Sequence, residues 1–127
     1  MIQDNEYAVV YESEKYIRLI PIRAGDRFQT TDGAYKHNHI VGQPWGQKIP
    51  AFNKPNQCVY ALRPKSTLIT ETLARKTQIL YSMDNSAILF KLDIKPGNIV
   101  VEAGTGSGSL SCAFSEVLGE SGRLYTF

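Results

Sequence analysis

Ile99-Val100-Val101-Glu102-Ala103-Gly104-Thr105-Gly106-Ser107-Gly108-Ser109-Leu110 is the stretch that decides the fold. Its first three residues are apolar and β-branched, which predicts a strand buried on both faces of a parallel sheet. After the glycines, apolar residues recur with the spacing of an amphipathic helix, at Leu110, Ala113, Phe114, Val117 and Leu118. Leu124-Tyr125-Thr126-Phe127 predicts a second strand, so the stretch forms the centre of one βαβ unit.

The turn between strand and helix is rich in glycine, which indicates a nucleotide-like cofactor. Glycine lets a ligand approach the backbone without a Cβ in the way, and the following helix offers free amide groups at its start. The dinucleotide fingerprint G-x-G-x-x-G requires a third glycine where this chain has Ser109, which disfavours a nicotinamide-dependent oxidoreductase. The glycines follow G-x-G-x-G instead, with Glu102 two residues before Gly104. This pattern resembles motif I of the class I S-adenosylmethionine-dependent methyltransferases.

The N-terminal half of the chain has the pattern of a small β-rich domain. Short β-branched and aromatic runs alternate with polar turns, which favours a small barrel or sandwich. The clearest predicted strands cover residues 7–11, 16–22 and 58–62. Glycine and proline interrupt residues 41–56, which we expect to be mostly loop. The fold class is therefore α+β, with the β-rich domain ahead of the βαβ unit.

Composition and charge exclude several classes of protein. Of the 127 residues, 43% are hydrophobic, so the chain has enough apolar material for a core and wholesale disorder is not expected. No apolar run approaches the roughly 18 residues of a membrane span. Cys58 and Cys112 match no metal-binding spacing and are expected to be reduced thiols. The net charge of +2 is weak evidence for any partner.

Further segments give the resemblance a specific family. Two of them, Arg75-Lys76-Thr77-Gln78-Ile79-Leu80-Tyr81-Ser82-Met83-Asp84 and Ile94-Lys95-Pro96-Gly97, precede the glycine turn in the order found in the catalytic subunits of eukaryotic tRNA (adenine-58-N1) methyltransferases, which they resemble. The N-terminal half is similar to the same family through Gln29-Thr30, Gly33, Lys36-His37 and Ile40-Val41-Gly42-Gln43-Pro44-Trp45-Gly46-Gln47-Lys48. The resemblance covers nearly the whole chain.

The resemblance implies a small N-terminal β-barrel in residues 1–65 and the start of a Rossmann-like methyltransferase domain in residues 66–127. It implies methyl transfer from S-adenosylmethionine to N1 of an adenine in the tRNA T-loop, a base that must first leave its stack. By position in the family's motifs, the cofactor would contact Leu80, Glu102, Gly104, Thr105, Gly106, Ser107 and Gly108. The family's proton-handling aspartate matches none of these 127 residues, so no catalytic residue is assigned.

The same resemblance assigns tRNA contacts to seven residues, namely Gln29, Thr30, Gly33, Lys36, His37, Gln78 and Tyr81. Hydroxyl, amide and basic groups are suited to contacts with phosphates and 2′-hydroxyls. The resemblance makes Tyr81 a candidate wall of the adenine pocket, whereas the residue type alone favours an ordinary core aromatic. Without the resemblance, His37 and His39 are typical of surface-loop histidines, and no cluster of metal ligands accompanies them.

The family also implies partners and a location in the cell. Its catalytic subunits assemble with a non-catalytic partner subunit in a heterotetramer, act on tRNA in the nucleus and involve no membrane. Compared with the family, residues 1–127 lack the acid that holds the cofactor ribose and the later strands of the sheet, so we expect these residues alone to be inactive. The alternative is a non-catalytic tRNA- or subunit-binding module. The intact glycines 104, 106 and 108 favour descent from the catalytic subunit.

Overall fold

The chain forms two compact units in the computed structural model, which describes residues 1–73 and 78–127. Unit 1 is Met1–Pro64 and unit 2 is Lys65–Phe127. Residues 75–77, part of a segment that resembles the methyltransferase family, lie outside the described residues. Each unit has a hydrophobic core of its own.

Six short strands provide most of the regular structure of unit 1. They are β1 (Tyr7–Ser13), β2 (Tyr16–Pro21), β3 (Arg27–Gln29), β4 (Ala34–Lys36), β5 (Lys48–Pro50) and β6 (Cys58–Leu62). Four of them form an antiparallel sheet in the order β2-β1-β6-β5, while β3 and β4 form a separate hairpin. A short 3-10 helix, His37–His39, follows β4.

The core of unit 1 lies on one face of the four-stranded sheet. Successive residues of a strand point to opposite faces, and alternate residues of β1 and β6, such as Val10 and Ala61, are fully buried there. The β3-β4 hairpin contributes Tyr35, whose ring stacks on that of Phe28 with 5.1 Å between the ring centres. The other buried members of the cluster are Ile2, Ala8, Ile22, Ile40, Ile49, Ala51 and Val59.

The expected β-barrel is not what the described residues of unit 1 form, because their sheets do not close. A barrel requires hydrogen bonds that pass from strand to strand around a full circle. Among the strands that the structure describes, β2 and β5 are the edges of the four-stranded sheet, and β3 pairs with β4 alone. With three residues each, β3 and β4 form a packed hairpin rather than a continuous wall. Side-chain packing, not closed hydrogen bonding, therefore seals this core.

Unit 2 contains the predicted βαβ unit, preceded by two helices. Its elements are α1 (Ser66–Thr72), α2 (Ser82–Lys91), β7 (Ile99–Glu102), α3 (Ser109–Leu118) and β8 (Arg123–Thr126). β7 and β8 are parallel, with Val100 opposite Leu124. Val100 packs with Phe114 and Leu118 of α3 to form the buried core. A strand, a glycine turn, a helix and a second strand are therefore present in the order that the sequence predicts.

One of two local predictions is wrong. The strand β7 is not buried on both faces: Val100 is 9% exposed, whereas Ile99 and Val101 are 70% and 69% exposed. The reason is that, among the described residues, α3 packs against one face of the β7-β8 pair. In residues 41–56, the prediction of mostly loop is confirmed, and the one strand among them is β5, with three residues, which pairs with β6. An edge position tolerates Pro50, because the outer side of an edge strand needs no donor.

Candidate functional site

The glycine-rich turn connects β7 to α3 through backbone conformations that glycine adopts most easily. Gly104 and Gly108 have φ angles of 90° and 82°, in the left-handed region. A Cβ added at either residue would meet no atom within 4 Å, so the turn borders open space. Conformation rather than crowding therefore requires these glycines, and their backbone is accessible to a ligand.

A cleft of about 260 Å³ adjoins the glycine turn. It is lined by Gln78, Leu80, Glu102, Ala103, Gly104, Thr105, Gly106, Ser107, Ser109 and Leu110. Six of the seven residues predicted to contact the cofactor belong to this set, and the seventh, Gly108, immediately precedes α3. The motif alone does not predict Ala103, Ser109 and Leu110 as lining residues, although all three lie within or next to it.

Two residues assigned to tRNA from the sequence lie in this part of unit 2. Gln78 is exposed and lines the cleft itself. Tyr81 is 39% exposed and stands at the start of α2, where its amide lies 3.4 Å from a carboxylate oxygen of Asp84. Its ring is accessible rather than buried in the core, and its contact with a target base stays a prediction.

Glu102 is buried, and hydroxyl groups hold its carboxylate. The oxygen Oε2 accepts hydrogen bonds from Ser111 of α3 and from Thr126 of β8, the latter at 2.7 Å. The Thr126 hydroxyl also lies 2.6 Å from the hydroxyl of Thr105 in the glycine turn. Such bonds compensate a buried carboxylate for its lost hydration. Sequence alone does not predict Ser111 and Thr126, because their contact with Glu102 depends on the packing of α3 and β8.

Ser109 joins the glycine turn to the segments that precede it. Its hydroxyl donates to the carbonyl oxygen of Leu80 and accepts a hydrogen bond of 3.0 Å from the amide group of Asn85. It also lies 2.9 Å from the hydroxyl of Thr70 in α1. In the sequence, Ser109 stands out only as the residue that replaces a glycine of the dinucleotide fingerprint. Local sequence carries no signal for partners that are 24 to 39 residues away.

The chemistry available beside the turn does not include an activated cysteine. Burial, with a smaller contribution from the negative charge of Glu102, raises the pKa of the Cys112 thiol, which disfavours the reactive thiolate. In residues 1–73 and 78–127, no group of three or more His, Cys, Asp or Glu side chains could hold a metal ion. No helix in this described part of the chain is long and apolar enough to cross a membrane.

In unit 1, Thr30 and Gly33 lie in the interior instead of on the predicted tRNA-binding surface. The Thr30 hydroxyl donates to the carboxylate of Glu12 at 2.6 Å and accepts from the amide of Gly33 at 3.0 Å. At Gly33, an added Cβ would lie 2.7 Å from the Cβ of Ala51. Both residues therefore shape the turn between β3 and β4, and their burial disfavours the tRNA contacts predicted for them.

His37 is also buried, where the sequence predicts a surface residue. Its Nδ1 accepts a hydrogen bond of 2.9 Å from the amide of Arg23. Burial lowers the pKa of His37, although the negative charge of Asp26 opposes this effect. The neutral imidazole therefore holds the turn that leads into β3, and it is not available for a surface contact. His39, in contrast, is exposed.

Gln29 and Lys36 do lie on the exposed face of the β3-β4 hairpin, and the structure adds Arg27 and Phe52 to them. Arg27 stands directly opposite Lys36 in the register of the two strands. The Lys36 ammonium lies 5.1 Å from the centre of the Phe52 ring. Because like charges at opposite positions destabilise a sheet, this pair favours a nearby anion. We use the name basic face for the surface that is formed by Arg27, Gln29, Lys36 and Phe52.

Two open depressions, of about 500 and 430 Å³, lie at the basic face, and Arg27 lines both. Arg27 is not among the residues that the sequence assigns to tRNA, although residues 27 and 29 of one strand share a face by the two-residue period. No sequence pattern predicts Phe52, because this residue belongs to a loop that lies beside β4 only through tertiary packing.

Comparison with known proteins places the chain among methyltransferases. The family model described as "tRNA methyltransferase complex GCD14 subunit" matches residues 57–127. The tRNA (adenine(58)-N(1))-methyltransferase catalytic subunit TRM61 of Candida albicans is 34% identical over 126 residues, and trmt61a of Dictyostelium discoideum is 34% identical over 128 residues. These matches cover 99% and 100% of this chain, which spans only 37% and 40% of the two relatives.

Two solved structures are similar to both units of the chain. The tRNA (m1A58) methyltransferase TrmI of Aquifex aeolicus is 30% identical with a TM-score of 0.67, and the match covers 99% of this chain and 47% of that one. An S-adenosylmethionine-dependent O-methyltransferase of Thermotoga maritima has a TM-score of 0.77 over 98% of this chain and 46% of that one. Its identity of 22% shows the fold alone. Because the family match covers more than half of the residues, the chain belongs to the tRNA methyltransferase complex GCD14 subunit family.

Proposed function

We propose that this chain supplies the S-adenosylmethionine-binding turn and an RNA-binding face of a tRNA (adenine-58-N1) methyltransferase catalytic subunit. The observation that carries the proposal is the cleft beside the G-x-G-x-G turn, which contains six of the residues predicted for the cofactor. The relatives from Candida albicans and Dictyostelium discoideum, which carry that activity in their names, support the same conclusion.

The cleft suits one part of a nucleoside cofactor with a charged amino acid tail. Gly104 and Gly108 leave the backbone open where other residues would place a side chain. Glu102 contributes a negative charge that would attract the cofactor's ammonium group. The volume of about 260 Å³ lies just below the roughly 300–1,000 Å³ of complete small-molecule pockets, so the cleft would hold only part of the cofactor.

S-adenosylmethionine supplies an electrophilic methyl group when it is bound, and the residues of this chain would orient it. Leu80 offers an apolar wall, and the glycines offer close backbone contact. The hydrogen bonds from Thr105 through Thr126 to Glu102 would keep the turn in one shape. Holding the reacting atoms in the correct geometry is a large part of any group transfer. No residue of this chain is assigned to proton transfer.

The basic face in unit 1 would bind the RNA backbone and an unpaired base. Arg27 and Lys36 present two adjacent positive charges suited to phosphate oxygens. Phe52 is 45% exposed, so its ring could stack on a base, and Gln29 offers amide groups to ribose hydroxyls. The RNA contacts that we propose for unit 1 are therefore Gln29 and Lys36, which the sequence also predicts, together with Arg27 and Phe52, which the structure adds.

The proposal includes a partner subunit and a nuclear location. The words "complex" and "subunit" in the family description support a partner. The nuclear location rests on the family resemblance. Co-purification of a tagged chain with a second subunit tests the first expectation, and fluorescence microscopy of the tagged chain tests the second.

Titration calorimetry with S-adenosylhomocysteine and with NAD tests the cofactor proposal on the 127-residue chain. We expect weak binding of the first ligand, because the cleft would hold only part of it, and no binding of the second, because Ser109 replaces the third glycine of the dinucleotide fingerprint. Binding of NAD but not S-adenosylhomocysteine would contradict the proposal. For a protein of the relatives' full length together with its partner subunit, methyl transfer to unmodified tRNA should map to adenine 58.

Filter binding of unmodified tRNA at several salt concentrations tests the basic face. Arg27→Gln and Lys36→Gln should each weaken binding and reduce the slope of log affinity against log salt by about 0.7–0.9. Lys15→Gln, which removes an exposed charge from the β1-β2 turn, is the matched control. Equal effects of all three variants would contradict the assignment. Binding of tRNA without any binding of S-adenosylhomocysteine would favour the alternative, a non-catalytic tRNA-binding module.

A further inference from the structure

The buried polar side chains of unit 2 converge on the glycine turn. In the described residues, four polar or charged side chains of unit 2 are buried, namely Thr70, Asn85, Glu102 and Ser109. Glu102 belongs to the network with Ser111 and Thr126. The other three form a separate cluster around the Ser109 hydroxyl. A buried polar cluster of this kind specifies one arrangement, because each broken bond leaves a group without water or partner.

The direction of the hydrogen bonds makes Ser109 the centre of this cluster. A serine hydroxyl has one hydrogen to donate and two lone pairs to accept. The hydrogen goes to the carbonyl oxygen of Leu80, while the side-chain amide of Asn85 donates to the serine oxygen. The Thr70 hydroxyl lies within hydrogen-bond distance of the same oxygen. One side chain therefore joins α1, α2 and the segment before α2 to the first residue of α3.

The bond to Leu80 connects the two sides of the cleft. Leu80 lines the cleft from residues 78–81, and Ser109 lines it from the end of the glycine turn. The core of the βαβ unit does not include this bond, because Val100 of β7 packs with Phe114 and Leu118, which lie further along α3 than Ser109. Ile79 of the same segment is also buried, so loss of the serine hydroxyl should loosen one wall of the cleft at Leu80 without detaching it, while the sheet and helix keep their structure.

We propose that Ser109 is a positioning residue that holds residues 78–81 against the glycine turn and so prepares the cleft for the cofactor. This inference rests on the proposed function of the cleft. It also assigns a role to Ser109 at the position where the dinucleotide fingerprint has its third glycine. Where a third glycine would allow close packing of helix and strand, this chain places a hydroxyl that holds a neighbouring segment.

The first test measures backbone mobility without any ligand. In ¹⁵N relaxation experiments on the 127-residue chain, the Ser109→Ala variant should lower the order parameters of Leu80 and Tyr81 from the rigid value of about 0.85 toward about 0.6. Those of β7 and β8 should not change. Ser115→Ala is the matched control, because Ser115 is an exposed serine on the same helix.

The second test measures affinity for S-adenosylhomocysteine by titration calorimetry. Ser109→Ala should weaken binding about fivefold or more, the usual effect of losing one hydrogen bond. Phe114→Leu, which removes core volume from unit 2 without touching the Ser109 cluster, separates a general loss of stability from a positioning effect. It should leave the order parameters of Leu80 and Tyr81 unchanged.

The outcomes separate this inference from the proposed function. Unchanged order parameters in Ser109→Ala overturn the positioning role, whatever the chain binds. Reduced order parameters in a chain that binds no S-adenosylhomocysteine support the structural link but contradict the proposed function. If Ser109→Ala does not fold, Ser109→Cys allows the same comparison, because a thiol has a similar size but is a weaker donor.

Discussion

The hydroxyl of Thr126 donates a hydrogen bond of 2.7 Å to the carboxylate of Glu102. The two residues are the last of β7 and β8, and they stand opposite each other in the parallel register. The acidic residue of the glycine motif is therefore bound to the neighbouring strand as well as lining the cleft. This indicates that Glu102 maintains the shape of the turn in addition to any contact with the cofactor.

Thr126→Val should lower the free energy of unfolding of unit 2 by about 1–3 kcal/mol, because a buried carboxylate loses a donor. The same change removes the link to Thr105 in the glycine turn. Urea unfolding followed by circular dichroism measures the difference. Thr67→Val, at an exposed helical position of unit 2, is the control and should leave the stability nearly unchanged. Equal stability of the two variants would show that the hydrogen bond to Glu102 contributes nothing.

Gly108→Ala should destabilise the glycine turn, because φ is 82° and ψ is 5° at this position. A left-handed conformation costs an alanine about 1–2 kcal/mol. Gly108→Asn should recover part of this loss, because asparagine tolerates that conformation better than alanine. Thermal unfolding of the three proteins measures the order, which we expect to be glycine, then asparagine, then alanine. An asparagine variant less stable than the alanine variant would indicate that side-chain size, not the φ angle, determines the stability of variants at this position.

Gly33→Ala should destabilise unit 1 in the absence of any RNA. The added Cβ would lie 2.7 Å from the Cβ of Ala51 and 2.8 Å from the hydroxyl of Tyr35. Overpacking of this kind costs about 1–3 kcal/mol. Urea unfolding measures the loss, with Asp32→Ala in the exposed neighbouring position as control. Unchanged stability together with weaker tRNA binding would instead return Gly33 to the RNA contacts that the sequence predicts.

Unit 1 should lose stability as the solution becomes acidic, because of His37. Burial makes the pKa of His37 in the folded chain lower than its ordinary value of about 6.5 in the unfolded chain. The unfolded chain therefore binds more protons in this range, so the contribution of His37 is complete above about pH 6.5. It is lost as the pH falls through the lower, folded-state pKa, where a proton on Nδ1 would break the bond from Arg23.

Urea unfolding at a series of pH values from 7.5 down to 5 measures this loss. The variant His37→Asn should be less stable at neutral pH and should show a flatter pH dependence, because asparagine does not titrate. His39→Asn is the matched control, since His39 is exposed two residues away. Equal pH dependence of the two variants would exclude His37 as the source.

The sequence predicts more of the residues that line the candidate cleft than of those exposed at the candidate RNA face, and the reason is physical. The residues of the cleft are close in sequence, and positive φ angles at Gly104 and Gly108 are a local requirement that glycine reveals directly. The RNA face depends on which side chains of a hairpin point outward. Thr30 and His37 have polar groups that suit RNA, but packing turned both inward to partners 18 and 14 residues away.

The sequence by itself determined the order of strand, glycine turn, helix and strand, and with it the family. Local periodicity and the conformational needs of glycine are sufficient for that order, whereas the family follows from the resemblance carried by longer segments such as residues 75–84 and 94–97. Only the tertiary structure decided that unit 1 has open sheets instead of a barrel, that Arg27 stands opposite Lys36, and that Ser109 holds the carbonyl of Leu80. These features depend on contacts between residues far apart along the chain, and such contacts are determined by how the whole core packs rather than by any local pattern.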